Sequence, residues 1–255
     1  MVVLQSVLIR MNINLSTYLA LHYWMSPDFK WWQFFSYMFM HGSPEPQAIG
    51  MTIAHIFFNM YGLFMFGSIL ENMWGPKRFL TFYIICGLGA GLCHLGVMGL
   101  EFASFNNAFA HYQEHPTLSA FSEILRKNHL SAESELIRQW SMDPNCNGCA
   151  EASVKAIYNY ATGDMLRGSV VGASGSLFGV LFAFGYLFPN TELYIMFIPV
   201  PIKAKWAVAG YAAIELFSGV GKFQGDNVAH FAHLGGMLFG FIILMIWKRN
   251  RNKFY

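Results

Sequence analysis

Charged residues fall in clumps along this chain, and between the clumps lie long uninterrupted apolar runs. Phe79–Gly99, Gly168–Phe188 and Val228–Trp247 are 21, 21 and 20 residues long and contain no Asp, Glu, Lys or Arg. A helix rises about 1.5 Å per residue, so about 20 apolar residues cross the hydrocarbon layer of a bilayer. Backbone polar groups find no water there, and a helix satisfies them internally. The pattern predicts membrane helices at about 53–70, 79–99, 170–188, 206–221 and 228–247. Residues 1–15, apolar through Ile9 and interrupted by Arg10, read as the outer end of a first span that is cut short. The alternative is an interfacial helix on a five-span protein. The segment lacks the basic start and small-residue cleavage site of a signal peptide.

Three stretches depart from this pattern. Trp24, Trp31, Trp32, Phe34, Phe35, Tyr37 and Phe39 crowd a polar loop, as suits a segment at headgroup level. Gly42–Gly50, with Pro44 and Pro46, is a turn-rich insert. Residues 101–167 hold eight of the 14 acidic residues and few apolar runs. Within them, Ser119–Arg138 reads as an amphipathic helix, with Leu118, Phe121, Leu125 and Leu136 toward one face. The chain thus divides into 1–100, an extramembrane insertion at 101–167, and 168–255.

Composition sharpens the class. The 255 residues are 55% hydrophobic and 12% charged, against roughly 25% charged in soluble domains. This excludes an ordinary soluble fold, and nothing points to nucleic acid. The net charge of +2 matters less than its placement. Lys77–Arg78, Lys203 with Lys205, and Lys248–Lys253 fall on one side if the spans alternate. Basic short loops face the cytoplasm. The C-terminus is therefore expected inside and the insertion outside, with a bacterial inner membrane as the expected location. Cys86 and Cys93 read as core residues. Cys146 and Cys149 form one Cys-x-x-Cys, either a disulfide or two free thiols.

Polar residues inside a span are costly, so each requires a reason. His55 and Asn59 lie four apart on one helix face. Ser174 and His233 lie in two other spans, five or six residues from the same end, so roughly 5–10 Å deep. Gly175/Gly179 and Gly236/Gly240 are Gly-x-x-x-Gly pairs just below them. Such pairs let membrane helices approach closely. A serine hydroxyl then meets an imidazole that can remove its proton and return it to a leaving amine. Asn59, His55 and the Ser174 N–H are candidate donors to an oxyanion. No aspartate offers a third member, so the expectation is a Ser–His dyad. Taken singly, Ser169, Ser176, His94 and His230 read as packing or helix-to-helix hydrogen bonds. Glu71 and Glu215 read as structural hydrogen-bonding acids.

These residues, as His55-Ile-Phe-Phe-Asn59, Gly172-Ala-Ser-Gly175 and Ala232-His233-Leu-Gly-Gly236-Met-Leu-Phe-Gly240, resemble the three signatures of the rhomboid intramembrane proteases. The resemblance covers about residues 18–99 and 168–248. It implies an all-α polytopic membrane protein with a six-helix bundle, here with a partly helical outer-face insertion. It implies hydrolysis of peptide bonds in or near transmembrane segments of membrane proteins, without metal or cofactor. By that likeness Ser174 is the nucleophile, His233 the base, His55 and Asn59 the oxyanion pair, and Glu71 a structural acid. His230 has no assigned role. Trp32-Gln33 stands where the family often has Trp-Arg, which puts a loop-stabilising interaction in doubt. Phe178 stands where a tyrosine often stacks under the imidazole.

Two other readings compete. One is a catalytically inactive relative that binds membrane clients, although that kind usually lacks the serine or histidine. The other is a haem- or metal-binding membrane protein using His55, His94, His230 and His233, which leaves Gly-Ala-Ser-Gly unexplained.

Overall fold

The structure is a computed structural model that describes residues 5, 8, 11, 13–42, 49–128, 134–194, 200–221 and 229–249. Most of the expected first span, most of the 42–50 insert and the basic residues beyond Arg249 lie outside these. In chain order the elements are α1 (Leu15–Leu19), β1 (Leu21–His22) and α2 (Gln33–Ser36). Helix α3 (Ile49–Gly62) runs through a π-helical turn at Leu63–Gly67 into α4 (Ser68–Trp74). Next come α5 (Pro76–Glu114), α6 (Leu118–Lys127), α7 (Ser134–Met142) and α8 (Cys149–Tyr160). Strand β2 (Ser169–Val170) leads into α9 (Ser174–Leu187), and β3 (Glu192–Leu193) pairs with β4 (Ile202–Lys203). The chain closes on α10 (Ala204–Gly221) and α11 (His230–Arg249). The fold is all-α apart from these two-residue strand pairs.

Among the described residues, three helices are long and apolar enough to cross a membrane: Thr52–Trp74, Pro76–Glu114 and His230–Arg249. Ser174–Leu187 is apolar but shorter. Several expected boundaries move. The span placed at 79–99 continues to Glu114, because the onset of polar residues does not itself end a helix and no proline intervenes before Pro116. The span placed at 170–188 begins only at Ser174, since Gly172 takes φ +103° and residues 169–170 are extended. Ser174 is thus the first residue of its helix rather than five or six residues in. The helix expected over 119–138 is two helices, α6 and α7, with Thr117 capping the first through the Ala120 N–H.

The chain forms two compact units. The first comprises residues 1–22, 28–96 and 169–255. Its helices meet backbone to backbone. A Cβ on Gly236 would overlap the carbonyl oxygen of Gly175, and one on Gly240 would lie 3.2 Å from that of Gly179. Likewise a Cβ on Gly179 would sit 2.9 Å from the Gly236 oxygen and 2.6 Å from Cys86 Sγ. Helices α9 and α11 are therefore in glycine-to-glycine contact. Below this, Leu70, Phe82, Val180, Ala183 and Leu244 are fully buried.

The second unit comprises residues 23–27 and 97–168. It has its own core: Phe105, Phe109 and Tyr112 of α5 pack with Phe121, Trp140, Cys149 and Ile157. Tyr112 and Ser153 join their hydroxyls within it. Cys146 and Cys149 are disulfide-bonded at the start of α8. Gly148, between them, takes φ +86°, a conformation that favours glycine. The polar composition of 101–167 conceals this core because its apolar residues are spread over four helical segments.

Candidate active site

The loop before α3 prepares the site. Gln33 is completely buried and, among the described residues, bonds only to backbone. Its Oε1 accepts from the N–H groups of Lys30 (3.1 Å) and His22 (3.3 Å), and its Nε2 donates to Asp28 O at 2.9 Å. Trp32 Nε1 donates to Tyr18 O at 3.0 Å. The doubt attached to glutamine at this position is therefore lifted, because an amide both donates and accepts and can serve several peptide groups at once. Strand β1 pairs with β2 in the register Leu21↔Val170 and His22↔Ser169, so this loop holds the segment leading to Ser174. Ser169 is thus a strand residue, not a helical packing serine. Tyr37 adds two ties: its carbonyl accepts from the Gly172 N–H at 2.8 Å, and its hydroxyl donates to Gly87 O at 2.6 Å.

After the turn at Gly172, α9 starts at Ser174. The first N–H groups of a helix have no partner within it, so the Ser174 N–H is one of a set of free donors beside its own hydroxyl. Ser174 Oγ lies 2.8 Å from Nε2 of His233, which is buried near the start of α11. Phe178, one turn below Ser174, stacks on the His233 ring with centroids 4.1 Å apart and planes 6° apart. Gly175 permits the approach: a Cβ there would meet Ala90 and lie 3.0 Å from the Ala232 carbonyl. A hydroxyl so placed can pass its proton to the imidazole.

The other expected residues divide. His55 is exposed and Asn59 half-buried on α3. Among the described residues neither makes a hydrogen bond to Ser174. His55 stands within electrostatic range of His233 and His41, and Gly62, one turn beyond Asn59, packs on Leu177 of α9. Ser176 is fully buried against its neighbours, and its Oγ has no hydrogen-bond partner among the described residues. Glu71 is exposed in the middle of α4, with no side-chain partner among the described residues.

Glu215 meets its expectation and exceeds it. This buried carboxylate of α10 accepts from His230 Nδ1 at 2.6 Å, and the same oxygen lies 3.0 Å from His233 Nδ1. The second contact is close enough for an ion pair, and among the described residues His233 Nδ1 has no hydrogen-bond partner. Glu215, His230 and His233 are also a donor set that a metal ion could use, with atoms within 4.8 Å of one another. The sequence signal for this cluster was a lone acid in an apolar helix, but no spacing linked it to His233 on another helix.

The Rhomboid domain family model matches residues 28–103 and 147–250. Residues 104–146 fall between the matched segments. Over 226 residues the chain is 24% identical to an uncharacterized mitochondrial rhomboid protein of Schizosaccharomyces pombe, covering 86% of this chain and 52% of that protein. It is 40% identical over 73 residues to Rhomboid protein 1, mitochondrial, of Saccharomyces cerevisiae, covering 29% of this chain and 20% of that one. The chain thus spans about half the length of the first relative and a fifth of the second. No solved structure matches. Both relatives are named as mitochondrial, which runs against the expected bacterial inner membrane.

Proposed function

The chain belongs to the rhomboid family and is an integral membrane protein, and from that premise we propose that it is an intramembrane serine endopeptidase. The observation that carries this reading is the 2.8 Å contact between Ser174 Oγ and His233 Nε2 at the start of two helices locked together through glycine. His233 takes the serine proton as Oγ attacks the scissile carbonyl, then returns it to the leaving amine. The Ser174 N–H, Asn59 and His55 receive the oxyanion. The substrates are proteins with a transmembrane segment, cut in or near it. The mitochondrial names of the relatives favour a mitochondrial membrane over a bacterial one.

Labelling by a fluorophosphonate probe tests this directly. The parent chain should be labelled and should cleave a model transmembrane substrate, and both should vanish in Ser174→Ala and in His233→Ala. The double variant should be no worse than either single one, because the two residues act as a unit. Cleavage that persists in Ser174→Ala would show that the protein is not a serine protease of this kind. An inactive client-binding relative would give no labelling in the parent.

A further inference from the structure

Resting on that protease reading, we propose that Glu215 is a positioning acid for His233, with His230 holding the acid in place. The chain would then work through a Ser174–His233–Glu215 series rather than a dyad. Glu215 turns inward from a stretch whose neighbours Ile214, Leu216 and Phe217 all face outward, so its burial is specific to that one side chain. Its Oε2 is the point on which the Nδ1 atoms of His230 (2.6 Å) and His233 (3.0 Å) converge. On the far edge of the His233 ring, Nε2 faces Ser174 Oγ.

A carboxylate can only accept hydrogen bonds. It therefore favours the His233 tautomer with the proton on Nδ1, leaving the Nε2 lone pair for the serine O–H. When Oγ bonds to the scissile carbon, its proton moves to Nε2, and the buried ring carries a positive charge. An unpaired charge there is costly, and the adjacent carboxylate offsets it while remaining unprotonated. The proton on Nε2 then leaves with the amine as the C–N bond breaks. His230, one turn before His233, donates from its own Nδ1 to the same oxygen and limits rotation of the carboxylate. Gly219 leaves the space for this, since a Cβ there would lie 3.2 Å from His230 Cβ.

The test uses the full chain in detergent or vesicles, with a cleavable transmembrane substrate and the fluorophosphonate probe. In Glu215→Gln the amide can donate to His233 Nδ1, which puts the proton on the wrong nitrogen. Turnover should fall by up to about 10⁴-fold, the loss seen when a triad acid becomes an amide, while KM moves less than about threefold. Glu215→Asp should recover part of the rate. A merely structural acid would lower the amount of folded protein without changing kcat per folded molecule. Parental kcat in folded Glu215→Gln overturns the proposal. If that variant does not fold, parental kcat in Glu215→Asp overturns it instead, and a lowered kcat with unchanged KM supports it. Cleavage by the parent that is indifferent to Ser174→Ala overturns the protease reading itself, and this inference with it.

Discussion

The His233 ring is held by contacts on its face as well as its edges. Phe178 lies parallel beneath it at 4.1 Å, and aromatic pairs of this kind are worth about 0.5–1.5 kcal/mol beyond simple burial. Phe178→Ala removes the floor and lets the imidazole tip away from Ser174, so kcat is expected to fall about tenfold, the equivalent of some 1.4 kcal/mol. Phe178→Tyr keeps the ring and should retain most of the rate. Steady-state kinetics on the purified variants check both. Asn59 makes a different case. It has no hydrogen bond to Ser174 in the resting structure, so any contribution must form in the transition state. Asn59→Ala should lower kcat by about 10–1,000-fold with little change in KM. A raised KM with intact kcat would reassign that face of α3 to substrate docking.

At the level of elements, the contact between α9 and α11 is made of backbone. A methyl group at Gly236 has nowhere to go, because the Gly175 carbonyl already occupies its place. Gly236→Ala should force the helices apart, lowering stability by about 1–3 kcal/mol as overpacked cores do and reducing kcat through the lengthened Ser174–His233 contact. Gly210 on α10 is the matched comparison. A Cβ there meets nothing within 4 Å, so Gly210→Ala should gain about 0.5–1 kcal/mol from helix preference. Thermal unfolding followed by far-ultraviolet circular dichroism separates the two outcomes. The pairing of these helices was legible in the sequence because Gly-x-x-x-Gly lies directly below both Ser174 and His233. The start of α9 was not legible from hydropathy, since Gly168–Ala173 is as uncharged as the helix that follows. What ends the extended segment is a backbone angle at Gly172, and apolar runs do not encode backbone angles. Glu215 and Gln33 were visible only as anomalies, because the partners of Gln33 are peptide groups, which carry no sequence signal, and those of Glu215 are imidazoles on another helix.

At the level of the whole chain, the two units carry separate cores, and this separates their expected responses. The buried cluster around Phe121 and Trp140 gives residues 97–168 a basis for folding of their own. Replacing residues 105–160 by a Gly/Ser linker long enough to join the remaining ends should leave cleavage of a generic transmembrane substrate intact. Selection among natural substrates should suffer, since surface insertions often carry recognition. Equal loss of both would assign the insertion to folding. Reduction of Cys146–Cys149 supplies a milder perturbation. Opening so short a loop costs on the order of 2 kcal/mol at most by chain entropy. Limited proteolysis under reductant should therefore cut first around residues 140–155, before the membrane helices yield.

The glycine contact has a consequence for how this chain can change over generations. The approach of α9 to α11, on which the Ser174–His233 contact rests, is set by main-chain atoms at Gly175, Gly179, Gly236 and Gly240, and substitutions on the outward faces leave it in place. Residues on the outward faces, such as Phe57, Phe217 and Leu238, can therefore be exchanged freely for other greasy side chains to suit a thicker, thinner or differently charged lipid environment. A lineage built this way can drift until few letters agree, while a handful of small residues stays fixed at the centre. Alignments of distant copies should then show, beside Ser174 and His233, invariance at positions that have no side chain at all.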